Sequence, residues 1–232
     1  MATVLDLVRL CRQRLVDFGG DTPDPEAWIT DDADCKWSNI ELTDYLDQAH
    51  AEHMDRVDFE DSSSSLCSLT LAIGASKVEL SPCIREIKDC RLVTDDKELR
   101  YKTPRELYEL STTCDLQWYT LERGRNTLSF RGAPTKIEYI KLVVVRYPSF
   151  SFSWPLAQSQ KPELNEIDHK DLVDYALSLA YLKRDSDTYN KQKSDEYEAR
   201  FTKRVGPKRS ARERNELRGA ADFPLRTKIC PL

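Results

Sequence analysis

The residue types that carry enzymic chemistry are all present in this chain, but their spacing does not assemble them into a site. The seven glycines form neither G-x-G-x-x-G nor G-x-x-x-x-G-K-[ST], so no loop offers backbone amides to a phosphate. His50 and His53 flank Glu52 in Ala-His-Ala-Glu-His, which would put two imidazoles on one helix face. A zinc-protease helix needs H-E-x-x-H with histidines four apart, so polar residues near a helix end are the simpler reading and no metal is expected. Asp31, Asp32 and Asp34 resemble the start of a calcium loop but lack its glycine and terminal glutamate. The seven cysteines (Cys11, Cys35, Cys67, Cys83, Cys90, Cys114 and Cys230) form an odd set without a C-x-x-C pair. That argues against a disulfide framework and a zinc knuckle, and predicts reduced, buried thiols with no nucleophile among them. Carboxylates are abundant, and no spacing rule selects a pair for hydrolysis. Neither a catalytic residue nor a cofactor is expected, so the chain reads as a non-enzyme.

Charge is the unusual feature. The formal net charge of −5 conceals fifteen acids against two basic residues between Asp17 and Asp61, and nine basic residues against three acids between Lys203 and Lys228. Such segregation suits charge-complementary docking. Arg204, Lys208, Arg209, Arg212, Arg214 and Arg218, with Phe223 and Leu225 as short apolar anchors, could neutralise phosphates or dock on acidic protein, and the residues alone do not separate the two uses.

These residues must be positioned by elements whose signals are local. Val4, Val8, Cys11, Leu15 and Phe18 make one apolar stripe on a helix ended by Gly19-Gly20, and residues 21–36 read as an acidic loop. Ser38 and Glu41 form a capping box at the head of a second helix carrying Leu42, Tyr45, Leu46, Ala49, His53 and Val57. From Leu66 to Arg146 the period changes to that of strands, with hairpin turns expected at Gly74-Ala75-Ser76 and Gly124-Arg125-Asn126, and a short helix capped by Thr103 with Pro104 at its first position. After a proline-punctuated linker, Ile167 to Tyr181 and Tyr189 to Val205 read as two helices forming a hairpin, stopped by Gly206-Pro207. The fold class is α+β: a helical bundle formed by N- and C-terminal helices, with an inserted small antiparallel β domain and an extended C-terminal arm, disordered in isolation. The expected divisions are 1–61 for the first helices, 62–150 for the β domain, 151–205 for the linker and helical hairpin, and 206–232 for the basic arm. No apolar run approaches the length of a membrane span, so a soluble protein made in a cytoplasm is expected.

Two stretches resemble the adaptor family of tailed bacteriophages, also called head-to-tail connector or head completion proteins. Trp37-Ser-Asn-Ile-Glu-Leu-Thr-Asp-Tyr-Leu-Asp-Gln-Ala-His-Ala-Glu52 is similar to the family's W-[ST]-[DN]-x-E-L-x-x-Y-[IL]-[ND]-x-A pattern, and Ile167 to Tyr181 with the following Tyr-Asn-Lys-Gln-Lys helix and Phe201 is similar to its second helical region. Between them, Leu80-Ser-Pro82 and Ile84-x-x-Ile87 resemble the family's β insertion. The resemblance covers about residues 1 to 205. It implies a structural virion protein at the head-tail interface, a homo-oligomeric ring, usually a dodecamer, that joins the portal protein to a tail nozzle or tail tube protein. DNA would pass through its channel without sequence-specific binding. The arm would be the portal-binding element, through Arg204, Lys208, Arg209, Arg212, Arg214, Arg218, Phe223 and Leu225. A nucleic-acid-binding accessory protein using the same arm is the alternative, and a hydrolase with a carboxylate site is a weaker third.

Overall fold

The structure, a computed structural model, describes residues 2–17, 29, 32–110, 115–122, 126–155, 160–185, 187–208, 210 and 213. It is a mixed α and β fold with five α-helices and nine strands among the described residues. The chain divides into two compact units: Met1–Val57 with Phe152–Leu232, and Asp58–Ser151.

The first unit is helical. Helix α1 (Val4–Leu15) begins at Thr3, whose hydroxyl accepts the Asp6 amide at 3.2 Å while the Asp6 carboxylate accepts the Thr3 amide at 2.8 Å. These reciprocal bonds satisfy amides that have no partner inside the helix. Val4, Leu7, Val8 and Cys11 are buried along one stripe. The helix stops at Val16, in the left-handed region at φ 56°, before the glycines expected to end it, which lie outside the described residues. Helix α2 (Asn39–Val57) starts from the expected box, with the Ser38 amide donating to Glu41 at 2.8 Å and the Glu41 amide donating to the Ser38 hydroxyl at 3.1 Å. Leu42, Leu46, Ala49 and Met54 are its buried apolar face.

The first unit resumes at Phe152, after the whole of the second. A 3-10 turn (Glu166–Asp168) leads into the penultimate helix (His169–Ala180), whose Leu172, Val173, Ala176, Leu177 and Ala180 are fully covered at helical spacing. The last helix (Lys191–Val205) is capped by the Asn190 side chain accepting the Lys193 amide at 3.0 Å, and ends at Gly206 with φ 102°. The aromatic stripe read from its sequence is only partly used: Phe201 is fully buried against Tyr175 at 4.8 Å, Tyr197 stacks on Tyr181 at 5.9 Å, and Tyr189 lies exposed ahead of the helix.

Among its described residues the second unit holds nine strands and one α-helix. These are β1 (Glu60–Asp61), β2 (Ser68–Leu71), β3 (Lys77–Glu79), β4 (Ile84–Leu92), β5 (Lys97–Glu98), β6 (Arg100–Tyr101), helix α3 (Pro104–Glu109), β7 (Trp118–Glu122), β8 (Thr127–Phe130) and β9 (Glu138–Arg146). Counting α3, the two later helices of the first unit are α4 and α5. One sheet runs β1-β9-β4-β5 with β2 also on β9, and the other runs β3-β8-β7-β6. Ile140, Leu142 and Val144 alternate inward from β9 and join Leu71, Cys90, Leu92, Tyr119, Leu128 and Phe130 in a core fed by both sheets. Each fully buried leucine there contributes about 1.5–3 kcal/mol relative to exposure.

Two expectations for this unit are corrected. Gly74, at φ 74° with its amide on the Pro134 carbonyl at 3.0 Å, does make a turn, but the chain crosses there from one sheet to the other instead of closing a hairpin, because β2 pairs with β9 and β3 with β8. The sheets are also not wholly antiparallel: β6 and β7 pair in parallel, as a helix between two strands permits. The small helix itself is as expected, with Thr103 and Glu106 in a capping box and Pro104 at its start.

A candidate interface at the basic end of the helical unit

Of the residues singled out for partner binding, Arg209, Arg212, Arg214, Arg218, Phe223 and Leu225 lie outside the described residues. The other two are held within the helical unit. Arg204, in the last turn of α5, brings Nε to 2.6 Å from Asp171 Oδ1 and donates from Nη2 to Asp174, both acids belonging to α4. Asp174 also takes Arg14 Nη1 of α1 at 2.5 Å, so one carboxylate only 5% exposed is held by arginines of two helices. Cations in the last turn of α5 also complement the helix dipole.

Beside this clamp lies an open cleft of about 620 Å³, lined by Arg14, Asp174, Tyr197, Arg200, Lys203 and Arg204. Arg14 and Arg204 are engaged with acids, whereas the Arg200 guanidinium lies over the Tyr197 ring at 5.0 Å and Lys203 is exposed. Arg200 and Lys203 therefore supply the positive charge not neutralised among the described residues, and suit a carboxylate or phosphate.

The end of α5 is tied to α2 through Arg56. Its Nε bonds Glu52 at 2.8 Å, its Nη1 donates to the Thr202 hydroxyl at 2.9 Å and the Gly206 carbonyl at 3.1 Å, and its guanidinium lies over Phe201 at 4.8 Å. Lys208 Nζ then reaches the other Glu52 oxygen at 2.7 Å. Burial pushes the Glu52 carboxyl up, but Lys208 and Arg56 outweigh it and hold the group below its ordinary value, while the bond to Glu52 raises Lys208. Lys208 is thus anchored in this chain. Two residues on, the Ser210 amide donates to Glu213 at 2.7 Å and the Glu213 amide donates back to the Ser210 hydroxyl at 3.2 Å, a capping box inside the stretch expected to be disordered in isolation. The S-x-x-E spacing was present in the sequence, masked by the surrounding arginines.

The histidine pair does not converge. His50 stacks flat on Phe152 with centroids 5.1 Å apart and accepts the Glu163 amide on Nε2 at 3.3 Å. His53 faces Asp168 and Asp171 instead. Of the acids read as a partial calcium loop, Asp31 lies outside the described residues and Asp32 accepts the Asn39 amide. Five free cysteines are described, of which Cys11, Cys67 and Cys90 are buried. Burial pushes the Cys11 and Cys90 thiols up to about 12.

One internal site escaped the sequence reading altogether. Arg12 is fully buried, with Nη1 on Asp17 Oδ2 at 3.0 Å and Nη2 on the Trp37 carbonyl at 3.0 Å and Asn39 Oδ1 at 2.7 Å. Asp17 in turn accepts the Lys36 amide at 2.8 Å and the Trp37 amide at 3.1 Å. Its only sequence signal was a charge next to the buried stripe of α1, with an acid five residues on. Compared with protein-family models the chain matches none, and no curated protein matches it.

Proposed function

We propose that this chain is a structural virion protein without catalytic activity: one subunit of an adaptor ring that joins the portal of a phage head to the tail nozzle or tube. In this reading the N- and C-terminal helices form the bundle of each subunit, and the extended basic arm is its portal-binding element. The observation that supports it most is the meeting of the two stretches that carry the family resemblance. Trp37, which opens the first, donates its indole N–H to the Ala180 carbonyl in the second at 3.0 Å and meets the Tyr181 ring edge-on at 6.1 Å. A tryptophan so placed is a packing and orienting residue, as expected of a motif that is a packing pattern and not a catalytic signature.

The buried ion pairs fit a rigid part better than a reactive one. Arg12, Arg56 and Asp174 each bridge separate chain segments through several bonds, so they hold helices at fixed mutual positions. Arg56 and the Lys208–Glu52 bond set the direction in which the arm leaves, identically in every copy of a ring. Individually weak arms then act together, and avidity raises binding by roughly 10² to 10⁴.

Arg200 and Lys203 in the cleft favour the second reading, a nucleic-acid-binding accessory protein. Two phosphate contacts would give a log-log salt slope of only about −2, so tight binding would need the arm as well. Imaging the protein mixed with portal rings of the same virion separates the two. A second ring stacked on the portal is the expected result. Bare portals, together with DNA affinity that falls steeply with salt, would overturn the adaptor reading.

A further inference from the structure

We infer that His53, Asp168 and Asp171 form a binding site for one divalent transition-metal ion, Zn²⁺ by ligand type, which clasps α2 to the first turn of α4. Each residue offers one ligand atom, and these atoms lie within 4.8 Å of one another. That limit lies just above the spacing of about 3 to 4.2 Å that ligands take around an ion with bonds of roughly 2.1 Å, so at most a small closure completes the set.

The partners these groups lack point the same way. His53 is only 4% exposed, and its Nδ1 is a buried atom without a hydrogen-bond partner. A buried polar atom left so is costly, and such groups call for an explanation. Asp168, in helical conformation at the end of the 3-10 turn that runs into α4, is partly exposed and its side chain makes no capping bond. Asp171 gives one oxygen to Arg204 Nε at 2.6 Å, leaving the other without a partner among the described residues. Favourable placement of acids at a helix N-terminus explains why Asp168 and Asp171 are tolerated there, but not why an imidazole with an unmatched nitrogen is buried against them. One imidazole and two carboxylates suit Zn²⁺ better than the harder Mg²⁺ or Ca²⁺, and Arg204 supplies the second-layer bond that orients Asp171.

The test is titration of the full chain with Zn²⁺ under a non-chelating phosphine reductant, read by calorimetry and by thermal unfolding. The expected result is one Zn²⁺ per chain, with Tm rising by about 5–10 °C at a concentration a hundredfold above Kd, and no such rise with Mg²⁺. Asp168→Asn, at a partly exposed position, is expected to weaken binding by about 10- to 100-fold, and His50→Gln to leave it unchanged. His53→Gln is the stricter variant; should it fail to fold, Asp168→Asn decides alone. Stoichiometric binding that survives Asp168→Asn would assign the ion to cysteines or other groups and overturn the site, as would a wild-type protein that takes up no Zn²⁺ at millimolar concentration.

Discussion

Arg12 and Asp61 show how single ionic residues are used as internal fasteners. Replacing Arg12 by Met leaves Asp17 buried without its cation and strands the Trp37 carbonyl, and the expected cost is about 3–5 kcal/mol, measured by chemical denaturation followed through far-UV circular dichroism. Asp61 accepts the Ser63 and Ser64 amides at 2.9 and 3.1 Å and Arg146 Nε at 2.6 Å. Burial pushes its carboxyl up, but the bonds from Ser64, Ser63 and Arg146 prevail and hold it well below the usual carboxylate range. The unfolded chain takes up this proton near pH 3.9, so the stabilisation is complete above that value and is lost as pH falls further toward the folded value. Denaturation midpoints measured from pH 5 down to 2 are expected to fall less steeply for Asp61→Asn than for the wild type, from a lower starting point. A steeper or equal slope in the variant would refute this assignment. Thiol reactivity belongs to the same scale: Cys11 and Cys90, buried and raised to about 12, are expected to escape iodoacetamide at pH 8 in the native protein while half-buried Cys83 is labelled, as mass spectrometry would show.

Helix starts are the elements most openly written in the chain. Ser38 with Glu41 and Thr103 with Glu106 both form reciprocal capping bonds, and Ser38→Ala is expected to cost about 1 kcal/mol, read as a lower melting temperature of the helical signal. These were legible because a cap needs only residues three apart. Strand partners were not. Gly74 announces a turn, but whether β2 pairs with β3 or with β9 depends on the apolar faces of strands far along the chain. The parallel pairing of β6 with β7 was hidden for the same reason, since the six-residue helix between them reads as a helix whichever way the next strand runs. The candidate interface was half legible: the basic run marked its location, whereas Arg204 and Lys208 proved to be held by Asp171, Asp174 and Glu52 of other helices.

At the scale of the molecule, the division into Met1–Val57 with Phe152–Leu232 and Asp58–Ser151 gives a direct test. Val8, Leu46, Leu177 and Phe201 bury the helical unit from its own two segments, so replacing 58–151 by a short flexible linker is expected to keep most of its helicity and a cooperative melt. Loss of all helicity would show that the unit does not stand alone. On the adaptor reading proposed above, deleting 209–232 while keeping Lys208 is expected to leave the Glu52 bond and a folded body that no longer decorates portal rings, and Arg209→Glu with Arg212→Glu to weaken attachment most at low salt. Saturation of portals by the truncated chain would transfer docking to the helical unit itself. The sequence by itself determined the types of the elements, their capped starts and the polarity of charge along the chain, because each depends on neighbours within a few residues. Only the tertiary structure decided that Trp37 reaches Ala180 across 143 residues, that Arg146 closes on Asp61 across 85, and that His53 faces Asp168 and Asp171 instead of His50. Those partners are chosen by the packing of buried faces, and no local spacing encodes which distant faces meet.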